Sequence, residues 1–438
     1  MTFRDLEKSA AHDQKARPHG QPSVLVTEVP ASPLERSDPP PPDGGTTAWL
    51  QVVSATLINA VAWGYPSAYG VFQLYYTDTL QLPSAQISWI GSVQTFLTYM
   101  MCTVAGRLAD AGYIRGTTIA GIFLAMFGSF MTSFCTEYWQ IFLAQGLCTG
   151  VGLGLTYMPS LAVLSSYFGK KRSLAMAISA VGTSVGGAVF PAVVQYLVPQ
   201  VGFPWAVRCC TLVALVIDVV ALLLLKPRLA PRKTGPLVEW GAFKEPPYVL
   251  YATGSFLIFW ALYFGFFYMN VFATDVVGFT QTSSAQLLII TSLVSIPTRP
   301  LSGWIADRRL GPLTTFMVSS LALGAVGICW TAVQDAAGMY AFAVAFGLAN
   351  GGAQGVFGGS LASLTADPAK MGARYGAVCT LVGFATLAGP PTAGAIIDRC
   401  GGRYLWAQVW AGAVTVCGAL TVGAARWWLT GGKVWAKV

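Results

Sequence analysis

The sequence predicts an all-α membrane protein of twelve transmembrane helices, arranged as two pseudo-symmetric halves of six. Of its 438 residues, 54% are hydrophobic and only 10% are charged, whereas about a quarter of the residues in a soluble domain are charged. Apolar runs of roughly 18–25 residues, long enough to cross a hydrocarbon core of about 30 Å as helices, recur along most of the chain. Similar segments also follow one another in the same order in both halves, which indicates duplication.

The predicted elements begin with a polar segment, residues 1–47, which contains the proline-rich stretch SDPPPPDGG and no signal-peptide pattern. We expect this segment to be a disordered cytoplasmic tail. The N-terminal half, 48–225, has predicted spans at 48–76, 85–108, 113–134, 137–165, 172–197 and 204–225. A cytoplasmic linker at 226–247 leads to the C-terminal half, 248–430, with spans at 248–275, 284–306, 312–333, 337–364, 373–397 and 404–430, and a short tail at 431–438.

The distribution of Lys and Arg predicts the orientation, because these residues accumulate in short cytoplasmic loops. The loops after even-numbered spans carry Arg107, Arg115, Lys170, Lys171, Arg172, Lys226, Arg228, Arg232, Lys233, Lys244, Arg308, Arg309, Lys370 and Arg374. The opposite loops carry mainly acids, namely Asp78, Glu137, Asp275 and Asp335, with Arg399 and Arg403 as the exceptions. Both termini are therefore predicted to be cytoplasmic.

Composition also argues against several classes of protein. The nine cysteines lie in or beside apolar runs, without the spacing of a disulfide framework or a metal site. Both histidines, His12 and His19, precede the first span. The formal charge of +8 comes mostly from residues that flank spans, not from a basic patch with interleaved aromatics. We expect a lipid bilayer as partner, with no nucleic acid, metal, cofactor or enzymatic activity, and the sequence says nothing about an accessory protein.

A repeated motif closes the second and the eighth span. GRLADAGYIRG runs from Gly106 to Gly116, and GWIADRRLGP runs from Gly303 to Pro312. The shared Gly-x-x-x-Asp pattern resembles the signature loop of the major facilitator superfamily, which implies a transporter that works by alternating access. In that reading Gly106 and Gly303 allow close helix approach, while Asp110 and Asp307 act in conformational gating.

Two further motifs resemble those of the monocarboxylate transporter family, especially its fungal members. PPDGGTTAWLQVV precedes span one, and SSYFGKKRSLAMAISAVGTSVGG enters span five. The matching residues are Asp43, Gly44, Gly45, Trp49, Tyr167, Phe168, Lys171, Arg172 and Ala175. The resemblance covers about residues 43–430 and suggests a gating role for Lys171 and Arg172, although simple positive-inside anchoring also explains these two cations.

Arg299 is the most informative charge within a span. It lies eight residues before Asp307 in TSLVSIPTRPLSGWIADRR, or about 12 Å into the helix. Burying it costs a few kcal/mol or more, so an anionic partner or substrate is expected. In the monocarboxylate transporter family the pattern here is Asp-x-x-x-Arg-Pro, whose arginine pairs with the substrate carboxylate and whose aspartate serves proton coupling. Ser295 replaces that aspartate, and Ser67 replaces a family lysine of span one, which argues against proton-linked transport of lactate-like acids.

Polar residues inside spans are further candidates, because each needs a partner or a cavity in a medium without water. In the major facilitator fold, which the chain resembles, spans one, four, seven and ten line the central cavity. The candidate substrate-binding residues, besides Arg299, are therefore Asn59, Tyr65, Tyr69, Gln145, Tyr157, Asn270, Asn350 and Gln354. Helix-to-helix hydrogen bonding is an equally good explanation for any one of them. For Asp218 of span six we expect a packing partner such as a hydroxyl or Arg208.

These observations together predict a secondary active or facilitative transporter in the plasma membrane. Its substrate would be a small organic metabolite that bears a carboxylate or an aromatic ring, and efflux of a secondary metabolite is favoured. A riboflavin-type or monocarboxylate importer and a nutrient sensor without transport remain alternatives. Proton co-transport stays open.

Overall fold

The computed structural model describes residues 41–169, 171–228, 239–365 and 371–433 of the chain. The predictions made for residues 1–40, Lys170, 229–238, 366–370 and 434–438 lie outside these described residues. Within them, every regular element is a helix. The prediction of an all-α protein is therefore confirmed.

The first half begins with three successive helical pieces, because the helix is interrupted at Trp63 and Ala68. These pieces are α1 (Thr46–Ala62), α2 (Gly64–Ser67) and α3 (Tyr69–Leu80). They are followed by α4 (Ser84–Asp110), α5 (Ile114–Thr132), α6 (Tyr138–Ile141), a π-helix (Phe142–Thr149), α7 (Gly150–Tyr167) and α8 (Arg172–Leu224).

The 53 residues of α8 are two helices joined at Gly202. Its φ of 80° and ψ of 162° are not helical, and a positive φ is readily adopted only by glycine. Pro199 and Pro204 flank the break and cannot supply the amide hydrogens of a continuous helix. We call the parts before and after this break α8a (172–201) and α8b (203–224).

The second half begins with a 3₁₀ turn at Trp240–Lys244 that leads into α9 (Pro246–Asp275). The remaining elements are α10 (Gln281–Ile305), a π-helical turn (Ala306–Leu310), α11 (Pro312–Cys329), a 3₁₀ turn (Trp330–Ala332), α12 (Ala336–Ser363), α13 (Met371–Arg399) and α14 (Leu405–Thr430). Among the described residues, eight helical segments are long and apolar enough to cross a membrane. This count takes α8 as one segment and leaves out α1–α4 and α10.

Contacts between the halves run mainly along two helix pairs. The first pair is α4 with α13, and the second is α8 with α10. Across the first pair, the hydroxyls of Thr103 and Thr380 lie 2.7 Å apart. Elsewhere, Ser and Thr hydroxyls donate mostly to carbonyls of their own helices, as Thr56 does to Val52 at 2.8 Å, so their polar atoms remain satisfied without water.

Glycines allow the close approach of α8a to α1. A Cβ atom at Gly182 would lie 1.9 Å from the carbonyl oxygen of Thr56, and one at Gly186 would lie 1.9 Å from that of Ala60. Neither oxygen can move far, because both belong to helical backbone. The glycine-rich sequence around Gly186 therefore serves helix packing.

A matched pair of glycine substitutions tests this packing. We expect Gly186→Ala to lower the yield of monodisperse protein and its melting temperature, because the new methyl group overlaps the Ala60 carbonyl. Gly116→Ala in α5 makes the same chemical change where no atom lies within 4 Å. Size-exclusion profiles and thermal unfolding in detergent measure both effects. Equal behaviour of the two variants would contradict the packing role of Gly186.

Candidate functional site

A cavity of about 50 Å³ lies between the two halves. Its lining comes from α1, α4, α7 and α8a of the first half and from α9, α10, α12 and α13 of the second. The lining residues are Asn59, Trp63, Tyr99, Tyr157, Leu161, Met176, Ser179, Ala180, Thr183, Phe259, Arg299, Gln354, Gly355, Phe357, Gly358 and Tyr375. A site shared by both halves changes shape whenever the halves move relative to each other.

Arg299 is the one charged residue in this lining, as far as the described residues extend. Its side chain belongs to α10 and is only 3% exposed. Nε donates to Oγ of Ser184 at 2.8 Å, and Nη2 donates to Oε1 of Gln354 at 3.0 Å. Nη1 has no hydrogen bond to any described residue, so it can donate to a bound group.

The partners of Arg299 belong to a neutral hydrogen-bonded chain. Oγ of Ser184 lies 2.8 Å from Oγ of Ser295, and Ser295 is the residue that stands where an aspartate was expected from the family pattern. On the other side, Nε2 of Gln354 donates to Oδ1 of Asn350 at 2.8 Å. Within the described residues the guanidinium therefore has polar partners but no counter-charge.

Aromatic residues form the walls around this charge. The ring centroid of Trp63 lies 4.3 Å from that of Tyr99 and 5.1 Å from that of Tyr157. The hydroxyls of Tyr157 and Tyr375 lie 3.1 Å apart and join the two halves. Sequence reasoning missed Tyr99 and Tyr375 as lining residues because it considered spans one, four, seven and ten only. The signal that could have found them is a tyrosine inside a predicted apolar span, at 85–108 for Tyr99 and at 373–397 for Tyr375.

Four of the predicted binding residues line the cavity, namely Asn59, Tyr157, Arg299 and Gln354. Asn59 donates from Nδ2 to the carbonyl of Ala55 in its own helix at 2.8 Å. Asn350 lies behind Gln354, as described above, and reaches the cavity only through it. The amides of α12 therefore support the arginine from one side.

The other candidates lie away from the cavity. Tyr65 pairs with Ser129 within the first half, with their hydroxyls 2.9 Å apart. Gln145 accepts from the hydroxyl of Tyr76 at 2.5 Å. For Tyr65 and Gln145 the alternative explanation, hydrogen bonding between helices, describes their contacts.

Tyr69 and Asn270 lie at the end of the bundle where α3 meets α9. The ring of Tyr69 lies 4.9 Å from that of Phe267, and its hydroxyl donates to the carbonyl of Ile87 at 2.6 Å. Asn270 is fully buried, as is Gln73 of α3. Both amide atoms of each side chain lack a hydrogen-bond partner among the described residues. The polar atoms of both amides are therefore enclosed without a hydrogen bond to a described residue.

The duplicated Gly-x-x-x-Asp motif lies at the other end of the bundle, which we call the motif end. Oδ2 of Asp307 accepts from the backbone N–H of Leu174 at 3.0 Å, in the first turn of α8a. A Cβ atom at Gly303 would lie 2.6 Å from that of Ala177, so only glycine permits this approach. An aspartate at a helix N-terminus caps free N–H groups and interacts favourably with the helix dipole.

The first copy of the motif has a similar position. A Cβ atom at Gly372, in the first turn of α13, would lie 3.3 Å from Oδ2 of Asp110. Each motif aspartate thus lies against a helix that begins in the opposite half. Gly106, by contrast, faces Met158 of its own half, at 3.3 Å from a built Cβ to Cγ.

The two motifs that resemble monocarboxylate transporters contact each other beside α8a. Oδ1 of Asp43 accepts from the backbone N–H of Gly169 at 2.6 Å, and the rings of Trp49 and Phe168 lie 5.5 Å apart. Lys171 is exposed at the start of α8a. Arg172 is half-buried, and its Nε has no partner among the described residues.

The expected pairing of Asp218 with Arg208 or a hydroxyl was wrong. Nε of Arg208 donates to Oγ of Ser133 at 3.0 Å, and its guanidinium lies 4.6 Å from the ring of Phe134 and 4.8 Å from that of Trp205. Asp218 is completely buried, and neither of its carboxyl oxygens has a hydrogen-bond partner in the described part of the chain.

The described residues also bear on metal binding and disulfides. They contain no group of three or more His, Cys, Asp or Glu side chains that could hold a metal ion. All nine cysteines fall within the described ranges, and each has a free thiol. The chemistry available in the cavity is therefore that of hydrogen bonding, one positive charge and aromatic surface.

A helical bundle whose two halves share an internal cavity has the architecture expected of a membrane carrier. Comparison with known proteins agrees, since the model of the Major Facilitator Superfamily matches residues 52–390. The chain belongs to the major facilitator superfamily and is one of its transporters.

Several fungal transporters are similar to this chain over most of their length. An MFS-type transporter of Gibberella zeae is 37% identical over 88% of both chains. The Aspyridones efflux protein of Emericella nidulans is 34% identical over 88% of this chain and 79% of its own. The Agnestins efflux protein of Paecilomyces divaricatus is 32% identical over 89% of this chain and 90% of its own.

The gating interpretation of Asp307 predicts that Asp307→Ala opens the motif end. Loss of such a cap costs about 1 kcal/mol, so we expect about a fivefold shift toward the open form. The readout is the labelling rate of a cysteine introduced at the cavity residue Ser179, with the native cysteines replaced and an impermeant maleimide applied from the motif end.

Asp335→Ala is the matched control for this experiment. Asp335 also caps a helix, accepting from the N–H of Gly338 at 2.9 Å, but both residues belong to the second half. An unchanged labelling rate in Asp307→Ala, or an equal increase in Asp335→Ala, would show that the inter-half cap does not hold the motif end closed.

Proposed function

We propose that this protein exports an anionic organic metabolite, with an aromatic or other apolar body, by alternating access. The observation that carries this proposal is the position of Arg299, buried between the halves with neutral partners and one unused N–H donor group. A guanidinium without a counter-charge in a membrane interior favours an anionic ligand. Its planar donors suit a carboxylate or a similar oxyanion.

The aromatic walls indicate what the rest of the substrate is like. Trp63, Tyr99, Tyr157, Phe259 and Phe357 present ring faces and edges to the cavity, which suits an aromatic or apolar body. Ligand pockets usually measure about 300–1,000 Å³, several times the present cavity volume. The halves must therefore move apart before such a substrate can enter.

The names of related proteins support the direction of transport. Two relatives that match most of the chain are named as efflux proteins, one for aspyridones and one for agnestins. We infer export of a secondary metabolite of this chain's own producing cell, which would place the protein in the plasma membrane. The buried arginine adds that the exported compound carries a negative charge.

We further propose twelve transmembrane spans, with domain boundaries as predicted and both termini cytoplasmic. The eight long apolar segments become nine when α8 is divided at Gly202, and α1–α3, α4 and α10 supply three more. Each of the pieces α1–α3 is short because the helix is interrupted at Trp63 and Ala68, and polar residues such as Gln94, Thr98 and Arg299 lower the hydropathy of α4 and α10. The positively charged loops lie at the motif end, which is then the cytoplasmic end.

Membership of the monocarboxylate transporter group is also part of the proposal. It is supported by the contact between Asp43 and Gly169, which joins the two hallmark motifs, and by the Arg299-Pro300 pair. Proton coupling by the route of that group is not expected. Ser295 bonds to Ser184, and Ser67 donates to the carbonyl of Trp63 at 2.7 Å, so neutral hydroxyls stand where the group has charges.

Comparison of metabolites in cells with and without the gene tests the export proposal. We expect at least one acidic aromatic compound to fall in the medium and rise inside the cells when the gene is deleted. The gene encoding the wild-type chain should reverse both changes. An unchanged ratio of external to internal concentration for all acidic metabolites would contradict export.

The anchor role of Arg299 gives a second prediction, for purified protein in liposomes. Hydrogen bonds to charged groups contribute about 2 kcal/mol, so Arg299→Gln should weaken the apparent affinity for the compound identified above about 30-fold. Arg208→Gln, which removes an arginine outside the cavity, should transport normally. Equal affinities of the wild type and of a well-folded Arg299→Gln protein would refute the anchor role.

A further inference from the structure

We propose that the cavity also binds a small inorganic anion of about the size of chloride, and that the protein exchanges this anion for its organic substrate. The inference rests on the proposed function, because it concerns the same cavity. It goes beyond that function by naming a second transported species and a strict exchange of one anion for another.

The positive charge of Arg299 stays in the cavity throughout the transport cycle. An arginine stays protonated in proteins, so Arg299 cannot discharge itself between strokes. Its partners Ser184 and Gln354 are neutral, and the described cavity lining contains no Asp or Glu. A carrier that returned without a ligand would therefore reorient with an uncompensated charge near the membrane interior, which is costly. An anion is needed on the return stroke as well.

The size of the cavity in this structure also favours a small anion. A single water needs at least about 10–15 Å³ of such volume, and the cavity provides about 50 Å³. This is room for about three to five waters, or for one ion of the size of chloride. It is too small for a metabolite with an aromatic ring. In this conformation the space beside Arg299 therefore admits a small anion.

Hydrogen-bond donors line the space beside Arg299. Nη1 of Arg299 has no partner among the described residues, and the pair formed by Tyr157 and Tyr375 uses only one of its two hydroxyl hydrogens. The remaining hydrogen can be donated to a ligand. The hydroxyl of Thr183 also belongs to the lining, whereas Ser179 donates its hydroxyl hydrogen to the carbonyl of Met176 at 2.8 Å. Uncharged donors beside one cation suit a singly charged inorganic anion.

The resulting cycle is balanced in charge. On one stroke an organic monoanion leaves the cell bound to Arg299, and on the return stroke one inorganic monoanion enters. The loaded site is neutral both times, and no net charge crosses the membrane. An inward gradient of the inorganic anion then supplies the driving force for export without proton coupling.

The test uses full-length wild-type protein in liposomes loaded with radioactive chloride, with no organic substrate present. We expect efflux into chloride to be at least about tenfold faster than efflux into gluconate. External nitrate or bicarbonate in place of chloride identifies which inorganic anion is preferred. Efflux into gluconate is also measured with a pH gradient across the membrane, so that exchange of chloride for hydroxide can be told apart from exchange of chloride for chloride. Equal efflux into chloride, nitrate, bicarbonate and gluconate would overturn the proposal.

Variants tie the exchange to the cavity. Arg299→Gln should lose the stimulation by external chloride, whereas Arg208→Gln should keep it. Tyr157→Phe should lower the apparent chloride affinity while it leaves the fold intact. If Arg299→Gln does not fold, thermal unfolding of the wild type in increasing chloride replaces it. A melting temperature that rises with chloride concentration and then levels off supports the site. The same melting temperature in chloride and in gluconate at every concentration overturns it.

Failure of this inference can be told apart from failure of the proposed function. Export of an organic anion at full rate into a medium free of small inorganic anions would leave the export function intact and refute the exchange. Chloride exchange that depends on Arg299, without transport of any acidic metabolite, would leave the exchange intact and refute the proposed organic substrate.

Discussion

The charge of Arg299, held between two bodies that must move past each other, is the constraint on which the cavity depends. A guanidinium in this position needs hydrogen-bond acceptors, and one from each half, Ser184 and Gln354, accepts from it at 2.8 and 3.0 Å. Because these bonds cross from α10 to α8a and α12, the arginine also reports on the relative position of the halves. Movement that separates α8a from α10 must break the bond to Ser184.

The contacts between the halves at the motif end involve backbone atoms as well as side chains. Gly303 brings α10 against α8a, and Asp307 then accepts from the first turn of that helix. Asp110 lies near the start of α13 in the corresponding place. Hydrogen bonds of this kind form only at short distances, so rotation of one half against the other would break the bond between Asp307 and Leu174.

Much of the fold could be predicted from the sequence, because hydropathy, loop charge and repeated motifs are local properties of the chain. Arg299 could be singled out for the same reason, since a charge in an apolar run is costly wherever it lies. Long-range pairing could not be predicted. Gln145 and Tyr65 satisfy their polar groups inside one half, while Tyr99 and Tyr375 reach the cavity from helices not thought to line it. Only the packing of the helices decides between these outcomes.

The buried amides of Gln73 and Asn270 affect the free-energy difference between the closed and open forms of the carrier. Four buried polar atoms without partners each raise the free energy of the form in which they are dry, by about 1–3 kcal/mol per group. Water that enters between α3 and α9 would hydrate them and lower the free energy of the open form. Hydration between α3 and α9 would therefore favour opening at this end of the bundle.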